Sequence, residues 1–200
     1  IFGSGLGGAI QLVPHKGFFK ENSLNSQLTV GTFGLKKYLA QIKLGNATNA
    51  ANVVYSNFHS DGYRDNNVTN KESITIASKH FLNTKNSLTF FGNYINLKGF
   101  IPSSINKEYY FNNPKSAAYT WGKAKGFESS KKGMMGVSWK HNYNTSATHT
   151  TNIFYSNFDT YEARPFNILK EQTSGLGIRS KVNLKSTLFN TKVNWLIGGE

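Results

Sequence analysis

From about Leu24 to Ile197 apolar and polar residues alternate in short runs separated by Gly, Asn, Asp and Ser, the period-2 pattern of half-buried strands. The pattern predicts strands over Leu24–Thr32, Lys36–Ala47, Ala50–His59, Lys71–Leu82, Asn86–Leu97, Lys132–Asn142, Thr148–Phe158, Thr173–Leu184 and Leu188–Gly198. Each is longer than, or at the top of, the usual range for globular strands, and a tilted membrane strand needs roughly 9–11 residues.

The faces separate cleanly. Tyr38, Ala40, Ile42 and Leu44 oppose Gln41 and Lys43; Ile74 and Ile76 oppose Thr75 and Lys79, with His80 as an imperfection on the apolar side. Met135, Val137 and Trp139 oppose Ser138 and Lys140. Leu176, Ile178, Val182 and Leu184 oppose Arg179, Lys181 and Asn183, and Phe189, Val193, Trp195 and Ile197 oppose Asn190, Lys192 and Asn194. A strand buried on both faces would not carry so many lysines; one face on lipid and one on a wet lumen accounts for them.

The connections sort by length. Asn46–Asn49, Asn83–Lys85, Tyr143–Ala147 and Lys185–Thr187 read as tight turns, and Ser60–Asn70, Lys98–Lys131 and Asp159–Gln172 as long loops; the short first hairpin at Phe33–Leu35 is the exception. In an up-and-down sheet the tight turns then share one end and the long loops the other, as in outer-membrane barrels. Three segments echo one another, Val54–Phe58, Phe90–Tyr94 and Phe154–Phe158, and place Phe58, Tyr94 and Phe158 in one interfacial aromatic girdle. The fold expected is all-β, an antiparallel up-and-down transmembrane barrel, with about nine of its strands in this chain.

Composition narrows the function. The chain has 200 residues, 38% apolar, with 15 Phe, 10 Tyr and 3 Trp, too aromatic for a disordered segment. Its formal charge is +13, yet the 23 Lys and Arg are dispersed, which argues against a nucleic-acid arm. There is no cysteine. The five histidines show no metal-ligand spacing, and no nucleophile–base arrangement stands out, so neither an enzyme, nor a metal site, nor a cofactor is expected. Asn46-Ala47-Thr48, Asn67-Val68-Thr69 and Asn144-Thr145-Ser146 match the glycosylation sequon, a match common by chance.

Residues 1–17 differ in style. Gly3-Ser4-Gly5-Leu6-Gly7-Gly8 satisfies G-x-G-x-x-G, but a strand and Pro14 follow instead of a phosphate-binding helix. With no initiator Met or leader-like run, the chain reads as an internal piece of a longer protein. Phe2–Lys16 resembles the segment that closes the plug of TonB-dependent outer-membrane receptors, of the type Y-G-S-x-A-x-G-G-V-I-N-I-x-T-K; Gly3, Ser4, Gly7, Gly8 and Ile10 match, and Pro14 departs. Ser60–Asn66 resembles the D-G-Y-R segment of the same family. The resemblance implies a plug end at 1–17, barrel strands over 18–200, and a 22-stranded whole in the bacterial outer membrane. It also implies a small ligand such as a ferric siderophore or other iron chelate, and energy from the inner-membrane TonB complex, contacted outside this segment.

The candidate ligand residues are Lys43, Lys79, Lys140, Arg179, Lys181 and Lys192 on inward faces, assigned no acidic neighbours there, and Arg64 with Tyr63 and Arg164 with Tyr161 at strand tops. A lumen of one sign concentrates counter-ions, which favours an anionic ligand; the lysines have an alternative use in docking the plug. The rival readings are a passive porin-type barrel and a soluble β-sandwich that binds carbohydrate.

Overall fold

The computed structural model describes residues 19–200. The glycine motif of Gly3, Ser4, Gly5, Gly7 and Gly8, and the plug end as a whole, lie outside the described residues. The rest is a single nine-stranded antiparallel sheet in which every strand pairs with its neighbours in sequence. The strands are β1 Ser23–Val30, β2 Lys36–Gly45, β3 Asn49–Ser60, β4 Thr69–Phe81, β5 Asn86–Phe100, β6 Phe127–Asn142, β7 Ala147–Ala163, β8 Ile168–Leu188 and β9 Thr191–Gly199. Two short helices, α1 Lys107–Asn112 and α2 Tyr119–Ala124, lie between β5 and β6.

The sheet has almost no interior of its own. Among the described residues the buried hydrophobic side chains are Ala50 and Ala77, while Leu24, Leu28, Ile42, Ile153, Leu176 and Ile197 are exposed. A β-sandwich would cover one face with a second sheet. Here there is one layer, and the sandwich reading fails for this part of the chain.

Register carries the alternation through all nine strands. Tyr55 pairs with Ile74, Ile74 with Tyr94, Ile76 with Gly92, Met135 with Tyr155, Ile153 with Ile178 and Leu184 with Trp195. Paired residues share a face, so these positions form one continuous apolar band, termed outward below. The band crosses the pairing rows obliquely. It occupies Tyr38–Leu44 of β2 but Val193–Ile197 of β9, nearer the tight turns, as strands tilted to a barrel axis require.

The turn end is built on asparagine. Asn46 Oδ1 accepts from the N–H groups of Thr48 and Asn49, Asn83 Oδ1 from those of Lys85 and Asn86, and Asn144 Oδ1 from those of Ser146 and Ala147. The sequon matches at Asn46 and Asn144 thus have a turn-forming role. The fourth turn, Phe189 and Asn190, has φ of 47° and 60°, the handedness that two-residue hairpins favour.

Four expectations need correction. The last turn was expected at Lys185–Thr187; it lies at Phe189 and Asn190, so these two residues belong to neither face of β9. Phe189 is 94% exposed. The long connection expected at Asp159–Gln172 is mostly strand, since Tyr161 pairs with Lys170 and Ala163 with Ile168, leaving a turn at 164–167. The loop expected over Lys98–Lys131 is 101–126, because β5 and β6 run on to pair Phe100 with Phe127. Finally, Phe58 and Phe158 fall on the inward face, in register with Lys71 and Lys132, whereas Tyr94 is outward. The Phe90–Tyr94 segment is out of phase with its two echoes, and the outward tyrosines toward the loop end are Tyr38, Tyr55, Tyr94, Tyr155 and Tyr161.

Candidate functional site

The connections opposite the tight turns, 31–35, 61–68, 101–126 and 164–167, share the loop end of the sheet. The 61–68 segment organises two of its neighbours. Its entry is fixed by Gly62 at φ +80°, where a Cβ would meet the carbonyl of Asn67. Asp61 N–H donates to Phe33 O at 2.8 Å, and the ring of Tyr63 stands edge-on to Phe33 at 5.4 Å, which joins the first hairpin.

On the other side the segment grips 101–126. Arg64 donates from Nε and Nη2 to Ser116 O at 3.0 and 2.8 Å, and from Nη1 to Ser103 O at 2.6 Å. Asp65 N–H donates to Lys115 O at 2.7 Å. Asn66, with φ of 54°, donates from Nδ2 to Ile101 O and Gly126 O at 2.9 and 3.0 Å, the two ends of the loop. Within the loop, Asn106 Oδ1 caps α1 by accepting from Tyr109 N–H. Between the segments lies an open cleft of about 670 Å³ lined by Tyr63, Arg64, Ile105, Tyr110, Phe111 and Pro114. Its walls are largely aromatic and apolar.

Of the other strand-top residues, Arg164 pairs with Glu162 at 2.7 Å, and this partner holds the Glu162 carboxyl below its ordinary range. Tyr161 stacks on Phe127 at 5.8 Å, on the outward face. It stands on the side of the sheet away from the inward cations, so Arg164 and Tyr161 do not form one site.

Register places Lys43, Lys79, Lys140, Arg179, Lys181 and Lys192 together on the inward face, toward the tight turns. Lys79 and Arg179 belong to one pairing row through Thr89, Ser138 and Asn152, and Lys140 and Lys181 to the next through Thr150. Lys79 Nζ lies 4.8 Å above the Phe81 ring, and Arg179 pairs with Glu200 at 2.6 Å. The expectation of inward faces without acids does not hold. Glu128, Glu162 and Glu171 face inward at the loop end, and Glu200 at β9, because the strands extend beyond their apolar stretches. The sequence reading also passed over inward Lys37, Lys71, Lys132 and Lys185 and the clamp residue Asn66. Continuing the alternation to the strand ends would have found the lysines. Lys132 Nζ lies 4.5 Å over Phe158, beside a groove of about 350 Å³ that Ile95 and Met134 also line. No group of three or more His, Asp or Glu side chains suited to a metal occurs among the described residues.

Similar folds occur among solved structures. The ferric citrate transporter FecA in its unliganded form superposes with a TM-score of 0.71 over 86% of this chain, at 9% identity. The siderophore receptor PiuA from Acinetobacter baumannii gives 0.70 over 90% at 11% identity, and the ferric-catecholate import receptor Fiu from E. coli K12 gives 0.62 over 88% at 11% identity. This chain has the fold of part of the TonB-dependent receptor barrel. It spans 27%, 30% and 32% of those three receptors, respectively. No protein-family model matches the chain, and none of the curated proteins does.

Proposed function

We propose that the chain forms early barrel strands of a TonB-dependent outer-membrane receptor that imports an anionic iron chelate, driven by the inner-membrane TonB complex. The observation that carries this reading is the continuous outward apolar band on a one-layer sheet whose fold is shared with iron-chelate receptors. Lipid is the solvent such a face requires. The aromatic cleft at the loop end receives the ligand, with Tyr63, Tyr110 and Phe111 against it. The inward lysines toward the tight turns, with Lys43, Lys79, Lys140, Lys181 and Lys192 as the basic wall, then favour an anion along the lumen.

The test is uptake of radiolabelled iron supplied as ferric citrate to iron-starved cells carrying the protein. Replacing Lys140, Lys181 and Lys192 together by Gln should lower uptake roughly tenfold and flatten its salt dependence, the effect of removing a steering field. Unchanged uptake of every anionic chelate offered would refute the reading. If the lysines instead dock the plug, the triple variant admits a large antibiotic such as vancomycin while the transport constants hold.

A further inference from the structure

The D-G-Y-R-D-N-N segment carries dense directed bonding at the loop end, most of it to the neighbouring 101–126 loop. Arg64 commits three of its N–H groups to the carbonyls of Ser103 and Ser116, which lie on opposite sides of α1. Ser116 is buried at 7% exposure, so this is not a contact made in open solvent. Asn66 ties together the first and last residues of the loop, and the Asp65 N–H adds a bond from the backbone itself. Between Ile101 and Gly126 the chain has two helices of six residues each, neither with a buried side chain. A segment of that kind does not hold its shape through its own packing.

We infer that Arg64 and Asn66 are positioning residues that hold 101–126 in place as one wall of the cleft. The guanidinium fork suits this work, because a planar fork reaches two carbonyls with little added ordering cost, and lysine cannot reproduce it. Asn66 suits it because its backbone is left-handed, a conformation Asn tolerates, which aims the amide across the loop mouth. This inference rests on the receptor reading for its purpose, while its physical content, the holding of the loop, does not.

The experiment is trypsin treatment of intact cells carrying the protein. Lys107, Lys115, Lys123 and Lys125 are cleavage sites inside the loop. Arg64→Ala should raise cleavage at these sites roughly tenfold or more, as expected when several charge-assisted bonds are removed. Arg64→Lys should give an intermediate rate. Asn66→Gly keeps the backbone conformation, removes the amide, and should also open the loop. Arg164→Ala, at a different tip, should not. Folded barrel, read by its heat-modifiable migration in detergent gels, should be equal in all four variants, since the clamp lies outside the apolar band. Unchanged loop cleavage in both Arg64→Ala and Asn66→Gly would overturn the inference. The functional readout is separate: for ferric citrate uptake, Arg64→Ala should raise KM and leave the maximal rate near that of the parent. A lowered maximal rate with no change in cleavage also overturns the assignment, and places Arg64 on the transport path instead.

Discussion

The ring of Phe154 lies over Gly177, its cross-strand partner, so closely that a Cβ on the glycine would overlap the ring carbons. Gly136 is the other cross-strand partner of Phe154. A large inward aromatic between two glycines packs against bare backbone, covering what the missing side chains leave open. Gly177→Ala should therefore force the ring aside and destabilise the sheet by roughly 1–3 kcal/mol, the range for overpacking. The double variant with Phe154→Ala should cost less than the sum of the two single changes, since it removes the clash. The midpoint of urea unfolding in lipid vesicles measures both; strict additivity would contradict the packing.

The oblique band sets where a charge is costly. Ile153→Arg, at the middle of the band, should cost about 2–4 kcal/mol, and Asn152→Arg, inward on the same strand, close to nothing. Val193→Arg lies at the turn-end edge of the band and should cost about 0–1 kcal/mol. Equal costs at 152 and 153 would mean that the two faces meet the same medium.

Asn46, Asn83 and Asn144 each accept two backbone N–H groups of their own turn. Asn46→Ala, Asn83→Ala and Asn144→Ala should each lower stability by about 1–3 kcal/mol, the cost of leaving such groups without an acceptor, with exposure to water favouring the low end. Replacement by Asp retains an acceptor and should recover most of the loss. Unfolding midpoints of the Ala and Asp series provide the comparison.

Glu162 has a carboxyl held below the ordinary value by the Arg164 guanidinium. The folded-state value lies below the unfolded one, so the pair contributes at pH above the ordinary Glu range and is lost as pH falls through the depressed value. Resistance of the 164–167 tip to a broad-range protease should thus be flat from pH 8 to about 5, where the unfolded carboxylate is also ionised. It should decline only below about 4. Glu162→Gln should remove the decline.

The extent to which the sequence disclosed this fold follows from where contrast exists between the faces. Inside the band one face is apolar and the other polar, that contrast appears as period 2, and the positions around Ile42, Ile76, Val137 and Ile178 are legible one by one. Beyond it both faces carry polar residues, the contrast disappears, and the ladder continues unseen. That is why Tyr161 and Lys170 read as loop although they are paired. The Phe189–Asn190 turn was hidden because Phe is a poor candidate for positive φ. The echo at Phe90–Tyr94 misled because composition repeats without phase. For the site, Arg64 and Tyr63 were visible through their motif, but which atoms the guanidinium serves depends on carbonyls some forty to fifty residues away.

The slant of the band leaves the strand tops at unequal heights above it. On β2 the apolar stretch reaches Tyr38, and the strand ends two residues later, about 7 Å along the chain. On β8 the stretch stops at Leu176, and the strand continues back to Ile168, about 26 Å along the chain. The wall is therefore a parapet with one low shoulder. Measured from the apolar band, β6, β7 and β8 stand as a screen, and β1 and β2 leave a low sill. On the proposed receptor reading, this sector is entered sideways over the sill, past Phe33 and Tyr63.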